Sequence, residues 1–369
     1  MIEPDKNELN NLMSKRIHIS PAWSFHDEAG TKLNAQLFPL LNGIKQTGKL
    51  TTATKLTHIS YRHGWNLLEQ ATVFFGSKLV LLEKGRGASL TPLGEKLLWA
   101  EQRVAARLQP QMENLASELN VEIHKEMADI SPVLRLHASH GYAVALLPEF
   151  TENFQLDLQY KSADDALAAL SRNACDVAGI HIPADIRIEP LIERYHRHLK
   201  KRNYKDHYKV IRFITRRQGL MIAPSNPKSI NGITDLTKDG IKFINRQKDS
   251  GTRALLDKLL EDKEITIDKI NGYQEEEFTH TAVAAYVGAG MADVGFGVEA
   301  AARQFNLDFI GITSEHYLMI CHERSLEQAA LINFLEQIRS SAFHNKVAEL
   351  AGYSAQHCGV IESLNENFL

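Results

Sequence analysis

Hydrophobic residues near the start of the chain recur at helical spacing in three consecutive segments. Residues 33–46 carry an apolar side chain every three or four positions, residues 51–56 form a short second helix, and residues 61–75 form a third. Ser60 stands where a serine caps a helix N-terminus. Two helices joined by a tight turn, the second of them polar and cationic at its start, predict a helix-turn-helix.

A β-hairpin is predicted directly after these helices. Residues 78–83 have a strand-like pattern, residues 84–87 form a basic turn with two glycines, and residues 88–91 return as a second strand. This hairpin would be the wing of a winged helix-turn-helix, which we assign to residues 31–92. An extension of residues 1–30 precedes it.

One long helical pattern follows, over residues 93–127, and Pro110 interrupts it. A helix between two domains often pairs two protomers, so we assign residues 93–130 as a linker and expect a homodimer or a higher homo-oligomer. The alternative is that the helix folds back on the first domain.

Strands alternate with helices in residues 131–369, which predicts an α/β domain with a mostly parallel sheet and right-handed crossovers. The expected strands include residues 218–223 and 309–313. A single helix is expected over residues 326–350.

Composition narrows the class of protein. The chain has 369 residues, 42 Lys and Arg against 45 Asp and Glu, and 44% hydrophobic residues, which predicts a globular multidomain protein. No apolar run approaches the roughly 20 residues that span a bilayer, and the N-terminus lacks the order of a secretory signal. Three widely spaced cysteines suit reduced thiols. We therefore expect a cytoplasmic protein without a membrane partner.

Charge is distributed unevenly along the chain. Residues 45–107 contain ten basic and four acidic residues, a net charge of +6, which favours a polyanion such as double-stranded DNA as partner. Residues 194–217 contain ten basic residues and one acidic residue. We interpret this second stretch as a solvated connection, and a second polyanion contact is the alternative.

Four motifs in the first part give a family resemblance. They are GKL at 48–50, ISYRHGWNLL at 59–68, KGRGASLT at 84–91 and LG at 93–94. With them, residues 37–98 resemble the winged helix of molybdate-responsive and LysR-type bacterial regulators. The resemblance implies DNA binding.

Four further motifs give a second resemblance. They are ASHG at 138–141, FINRQKDSGTR at 243–253, THTAVA at 279–284 and GMADVGFG at 290–297. The second part resembles the periplasmic-binding-protein-like domain of molybdate-related regulators, which implies a two-lobed, type II α/β domain that binds its ligand between the lobes. Molybdate or tungstate is the implied effector. Familiar molybdate repressors carry small, oligomer-forming anion-binding modules in place of this two-lobed domain. Sulfate, formate or another carboxylate is therefore an alternative effector.

The start of the third helix is the expected base-reading surface, because the N-terminal residues of a recognition helix face base edges. Arg62 is the expected base reader, and Trp65 is expected in the core. Threonines at the start of the preceding helix and polar residues of the wing would contact the DNA backbone. The candidate DNA-binding residues are Thr51, Thr52, Ser60, Tyr61, Arg62, His63, Lys84, Arg86 and Ser89.

Helix N-termini supply the candidate anion site, because their unpaired N–H groups and dipoles attract negative charge. Three helix N-termini carry serine or threonine hydroxyls, and two arginines beside them add positive charge. The hydroxyls are alternatively simple caps, and each arginine is alternatively structural. The candidate residues are Ser139, His140, Asn245, Arg246, Ser250, Gly251, Thr252, Arg253, Thr279, His280 and Tyr286.

Taken together, these patterns predict a DNA-binding transcription regulator controlled by a small oxyanion. We find no catalytic constellation, no metal-ligand cluster and no cofactor motif in the sequence, and we therefore expect no enzyme activity. A solute-binding component of an uptake system is the alternative from another class.

Overall fold

A computed structural model describes residues 25–83, 87–126, 131–199 and 207–364. Within these ranges the chain forms two compact units, which comprise residues 25–108 and residues 109–364. We call them the N-terminal unit and the C-terminal unit and describe each by itself.

Three helices begin the N-terminal unit, in the order that the hydrophobic pattern predicts. Their apolar faces meet in one core, where Leu40, Leu41 and Ile44 are fully buried. The Ser60 hydroxyl accepts a hydrogen bond of 3.1 Å from the His63 amide and caps the third helix. The helices are α1 (Leu37–Thr47), α2 (Leu50–Leu56) and α3 (Tyr61–Phe75).

An antiparallel hairpin follows, formed by β1 (Val80–Glu83) and β2 (Gly87–Leu90). Its second strand is attached to the end of α1, because the Ala88 amide donates to the Gly48 carbonyl over 2.7 Å. Gly87 has a φ of +104°, and a β-carbon there would lie 2.3 Å from that same carbonyl oxygen. Only glycine fits this close approach. The predicted turn residues 84–86 lie outside the described residues.

Helix α4 (Pro92–Glu126) continues through Pro110 without a break. Its first part belongs to the N-terminal unit, where Glu95 accepts a 2.6 Å ion pair from Lys45 and Gln102 donates to Asn42 over 3.3 Å. From residue 109 onward the same helix belongs to the C-terminal unit.

The C-terminal unit is built on a large mixed sheet with helices on its faces. The strands are β3 (Val133–Ala138), β4 (Gln155–Tyr160), β5 (Val177–Pro183), β6 (Tyr208–Ile222), β7 (Phe243–Arg246), β8 (Glu276–Glu277), β9 (Val294–Val298), β10 (Asp308–His322), β11 (Tyr353–Ser354) and β12 (Ile361–Ser363). Their order is β4-β3-β5-β10-β6-β9-β7-β8, with β11 and β12 also paired to β6.

Helices connect most of these strands. They are α5 (Tyr142–Leu146), α6 (Ala163–Ser171), α7 (Glu189–Leu199), α8 (Gly251–Glu261), α9 (His280–Gly288), α10 (Glu299–Gln304), α11 (Ala329–Arg339) and α12 (Ser341–Ala348). Short 3₁₀ turns lie at Leu147–Glu149, Ile233–Thr237, Ile267–Lys269 and Glu323–Glu327.

The prediction of a mostly parallel sheet was wrong at its centre. Parallel pairs occur on both flanks, β4-β3-β5 on one side and β9-β7-β8 on the other. Between the flanks, β6 and β10 are antiparallel to each other and to their outer neighbours. The sequence pattern identified only one end of each central strand, because polar residues at mid-strand interrupt the apolar run.

Two further predictions need correction. The basic stretch at residues 194–217 is not merely a solvated connection, since its described residues end α7 and form the first half of β6. The helix predicted over residues 326–350 is two helices, because Ser340 has an extended ψ of 147° and its hydroxyl caps α12. Periodicity alone did not separate them, since both helices present apolar faces to the same core.

Two hydrophobic cores lie on the faces of the sheet. Along β6, Tyr208 and Val210 face one core while Ile211 and Phe213 face the other, the alternation that a strand covered on both faces shows. None of the described helices combines the length and the apolar character that crossing a bilayer requires.

We expect Gly219→Ala to destabilise the C-terminal unit, because a β-carbon there would lie 2.0 Å from the Ile310 carbonyl oxygen on the neighbouring strand. Overpacking of this kind costs about 1–3 kcal/mol. Gly232→Ala is the matched control, since the same space at Gly232 is open. Thermal unfolding of the two variants should separate them, and equal melting temperatures would contradict the close packing of β6 on β10.

Candidate functional site

Strands β6 and β10 connect two halves of the C-terminal unit. Residues 315–321 of β10 pair with β5, whereas residues 218–222 of β6 pair with β9. We call the part built on β4-β3-β5 the first lobe and the part built on β9-β7-β8 the second lobe. The two long strands pass from one to the other, and their middle residues form the floor of the candidate site.

A buried ion pair lies at this crossing point. Arg216 of β6 and Glu315 of β10 are register partners, and their side chains meet at 2.8 Å while only 3% and 1% exposed. Gln218 donates a second hydrogen bond of 2.8 Å to the same carboxylate oxygen. Burial alone would raise the pKa of Glu315, but Arg216, His181 and Gln218 outweigh it and keep that pKa below its ordinary value.

A second guanidinium, that of Arg246 at the end of β7, is also buried. Its hydrogen bonds go to neutral oxygens, the Gln247 side chain at 3.1 Å and the Phe278 carbonyl at 3.0 Å. No carboxylate within the described residues forms an ion pair with it. Burial, and then the charge of Arg216, lower the pKa of Arg246 to about 10. The charges of Glu315 and Asp249 act in the opposite direction and raise that pKa.

Two buried histidines, His181 and His280, and the partly buried His140 surround these charges. Burial, followed by Arg216, lowers the pKa of His181 to about 3, and its Nδ1 lies 3.3 Å from the Arg216 Nη2. The pKa of His280 is lowered by burial and by Arg246 and Arg216. The His280 Nδ1 atom has no hydrogen-bond partner in the part of the chain that the structure describes. Burial likewise lowers the pKa of His140.

The three helix starts predicted for anion binding lie around this cluster. Gly141, which precedes α5, borders on Arg216, since a β-carbon there would be 3.4 Å from Nη1. Gly251 at the start of α8 faces His181 in the same way, at 3.9 Å. His280 opens α9, behind the Thr279 cap. The structure thus brings segments from both lobes to one place.

Hydroxyl groups complete the surroundings. Thr252 is buried, and its Oγ1 lies 3.4 Å from the Gln218 amide nitrogen. The Ser250 and Thr279 hydroxyls accept from amides of their own helices, at 3.1 and 3.0 Å, as caps do. The Ser139 carbonyl accepts from the Tyr317 hydroxyl over 3.2 Å. Capping therefore occupies the serine and threonine at the helix starts, and Thr252 faces the crossing strands.

Tyr142 of the first lobe reaches across to the second lobe. Its hydroxyl lies 3.1 Å from the Thr281 hydroxyl on α9 and donates to the Gln304 side chain at the end of α10. Burial raises the pKa of the Tyr142 phenol, so this group remains a neutral donor. Contacts of this kind between the two lobes, at the edge of the cleft, would stabilise a closed arrangement.

Three residues of the predicted set are engaged elsewhere. The Arg253 guanidinium binds Asp257 and Glu276 at 3.0 and 3.3 Å. The Tyr286 hydroxyl donates to Glu275 over 2.9 Å, and Asn245 donates to a backbone carbonyl over 3.1 Å. These bonds hold the second lobe together, which is the structural alternative that the sequence left open for Arg253.

Sequence reasoning missed the central members of the site. They are Arg216, Glu315, Gln218, His181 and Tyr142. One available signal was the apolar alternation on both sides of Arg216, which indicates a strand through the basic stretch. A charged residue inside such a strand has to find a partner within the fold.

In the N-terminal unit, the start of α3 presents an exposed polar and aromatic surface. Tyr61 is 50% exposed and Arg62 is also exposed, while the His63 Nε2 lies 2.8 Å from the Gln36 side chain. Trp65 was expected in the core and is 41% exposed, because its position one turn after Tyr61 places it on the same outer face.

The other predicted DNA contacts are placed as follows. Thr51 and Thr52 are exposed in the first turn of α2, and Ser89 is exposed on β2. Lys84 and Arg86 lie outside the described residues. The structure therefore places the described candidates on the surface of this unit.

Comparison with protein families gives a match within the C-terminal unit. A family model described as the PBP superfamily domain matches residues 144–339. Protein YvgK of Bacillus subtilis is 28% identical over 204 residues, which are 55% of this chain and 64% of that protein. Molybdenum-pterin-binding protein MopB of Rhodobacter capsulatus is 26% identical over 121 residues, 32% of this chain and 44% of that protein. The chain thus spans less than two thirds of either relative.

Among solved structures, the chain is similar to VV2_1132, a LysR family transcriptional regulator. The identity is 14% and the TM-score 0.41, over 82% of this chain and 97% of that chain.

The buried histidines predict a pH dependence. Their folded pKa values lie below the unfolded value of about 6.5, so the unfolded chain binds more protons and stability falls as pH drops below that value. For His181 the expected loss is about 2 kcal/mol between pH 6.5 and 5. In His181→Asn the amide oxygen replaces Nδ1 but does not titrate. Thermal melts from pH 7.5 to 5 should therefore fall less steeply for this variant, and an unchanged slope would contradict the neutral assignment.

Proposed function

We propose a function that starts from the family: the chain belongs to the PBP superfamily. We propose that it is a cytoplasmic transcription regulator in which the PBP domain senses a small oxyanion. The proposed DNA-binding part is a winged helix-turn-helix formed by α1 to α3 and the hairpin. The proposed effector site is the cleft between the lobes. No catalytic role is proposed for any residue.

The buried Arg246 guanidinium is the observation that carries the proposal. A buried charge without a counterion is strongly destabilising, and a protein retains one where a ligand supplies the missing charge. An anion beside Arg246 would supply the ion-pair partner that this guanidinium lacks among the described residues, whereas Arg216 is paired with Glu315. The neutral His280 and the hydroxyl of Thr252 would add hydrogen bonds at close range.

Molybdate or tungstate is the proposed effector. The relative MopB is named a molybdenum-pterin-binding protein, and this name supports a molybdenum compound as the effector. The charges of the site alone do not specify the central atom, so sulfate, phosphate and formate belong in the same test. Heat of binding from formate alone would replace the oxyanion by a carboxylate and leave the regulator proposal intact.

The N-terminal unit supports DNA as the partner through its exposed α3 surface. Tyr61 and Trp65 lie one turn apart and are 50% and 41% exposed, so they form an aromatic surface at the start of this helix. Arg62 lies between them at the helix start, where recognition helices meet base edges. The proposed assembly is a homodimer, and the exposed Leu115 and Leu119 of α4 support a helical interface between protomers.

We expect Arg246→Gln to abolish oxyanion binding, because it removes the uncompensated buried charge. Calorimetry of the full chain with molybdate, tungstate, sulfate, phosphate and formate measures the effect. The matched control is Arg187→Gln, which removes a half-exposed arginine paired with Glu189 at the surface. Binding by Arg246→Gln with wild-type affinity would contradict the site, and wild-type protein that binds none of the five anions would contradict the proposed sensing function.

We expect Arg62→Ala to weaken DNA binding by about tenfold, the loss of one base-reading contact. The probe is a duplex selected from a random pool by the wild-type protein, in mobility-shift assays at two salt concentrations. Lys32→Ala is the control, since Lys32 lines a cavity with Gln70 and Phe74 at the far end of α3. Wild-type binding that is insensitive to salt would contradict contacts to phosphate, and equal losses in both variants would contradict the recognition role of Arg62.

A further inference from the structure

Helix α4 contributes a carboxylate to the edge of the cleft. The Glu113 Oε2 atom lies 3.8 Å from the His140 Nε2. This oxygen is buried, and Oε1 accepts from Gln109 over 2.5 Å. The Tyr160 hydroxyl also interacts with this carboxylate, and Glu113 raises the pKa of that phenol. Glu113 therefore has two possible donors at the cleft, Tyr160 and His140.

The position of Glu113 is fixed by its neighbours on α4. Strand β4 is the outer strand of the first lobe, and side chains of α4 bond to its free edge. Asn114 exchanges two hydrogen bonds with the backbone of Tyr160, at 2.5 and 3.2 Å, and Ser117 accepts from the Leu158 amide over 2.8 Å. These side chains take the place of a neighbouring strand, so any shift of α4 along β4 would break them and withdraw Glu113 from His140.

His140 itself is held in place and faces charges of both signs. Its ring packs edge-on against Tyr160 of β4, with ring centroids 4.9 Å apart. Glu113 approaches it from α4, and the charge of Arg246 on β7 acts on it from the second lobe. Burial lowers the pKa of His140, Glu113 raises it, and Arg246 lowers it further.

An anion beside Arg246 would change this balance in one direction. It would cancel the repulsion that Arg246 exerts on a protonated His140 and add negative charge of its own. Glu113 favours the same protonated form from the opposite side. The anion and Glu113 therefore act together, each strengthening the effect of the other.

We propose that Glu113 is a positioning residue of the anion site, which holds His140 ready to accept a proton when an anion enters and so makes the position of α4 part of the binding equilibrium. This inference rests on the anion-sensing function proposed above. Because coupling between two equilibria is reciprocal, an anion that binds better with α4 in this register also holds α4 in it. Residues 92–108 of the same helix belong to the N-terminal unit.

The test compares two glutamates of one helix in the full chain, with molybdate as the probe. Glu113→Gln should bind molybdate about tenfold more weakly than wild type, the change that corresponds to one pKa unit of lost stabilisation. Glu118→Gln, which changes an exposed glutamate of α4, should bind as wild type does. Calorimetry in two buffers of different ionisation enthalpy should detect proton uptake in wild type and Glu118→Gln and none in Glu113→Gln.

The possible outcomes distinguish the role of Glu113 from the proposed anion-sensing function. Wild-type protein that binds no molybdate overturns both. Molybdate binding with equal affinity and equal proton uptake in Glu113→Gln and Glu118→Gln overturns the role of Glu113 alone. In a His140→Gln background, Glu113→Gln should change the affinity less than twofold, and a loss that persists there would overturn the action through His140. Should Glu113→Gln fail to fold, Glu113→Asp keeps the charge and should retain the proton uptake.

Discussion

The contact between Arg216 and Glu315 is the constraint on which the C-terminal unit depends. The two residues come from strands separated by almost a hundred positions, and they meet as register partners where β6 and β10 pass from one lobe to the other. A buried pair of this kind offsets its desolvation only when its geometry is good and its remaining oxygens and protons are satisfied. Gln218 supplies such a bond, and His181 lies beside the guanidinium. The crossing point therefore connects the two lobes and also supplies the buried polar residues at the base of the cleft.

The same pair determines which charge is left for a ligand. Because Glu315 compensates Arg216, the guanidinium of Arg246 is a buried cation without an ion-pair partner among the described residues, in surroundings where its charge is poorly screened. Neutral histidines next to it add hydrogen-bonding atoms without adding repulsion at neutral pH. An anion bound beside Arg246 would add an electrostatic driving force for closure of the lobes.

Local features of the sequence predicted the parts of the fold that local physics determines. The helices of the N-terminal unit follow from apolar spacing, and the caps at Ser60, Ser250 and Thr279 follow from residue type. The antiparallel centre of the sheet was not predictable in this way, because register between distant strands leaves no periodic signal. Arg216 was missed for the same reason: a charge in a strand is explained only by the partner opposite it, here Glu315. Arg246 was found because it ends a strand beside a helix start.

The geometry of α4 shows how one helix could serve both assembly and sensing. Glu113, Asn114 and Ser117 project within about 100° of one another and face the first lobe, as their contacts with His140 and β4 establish. Leu115 and Leu119 lie one turn apart on roughly the opposite side of the helix and are exposed. A protomer paired through these leucines would leave the Glu113 face untouched. Pairing and ligand response would thus use different faces of one helix, whose residues 92–108 belong to the N-terminal unit.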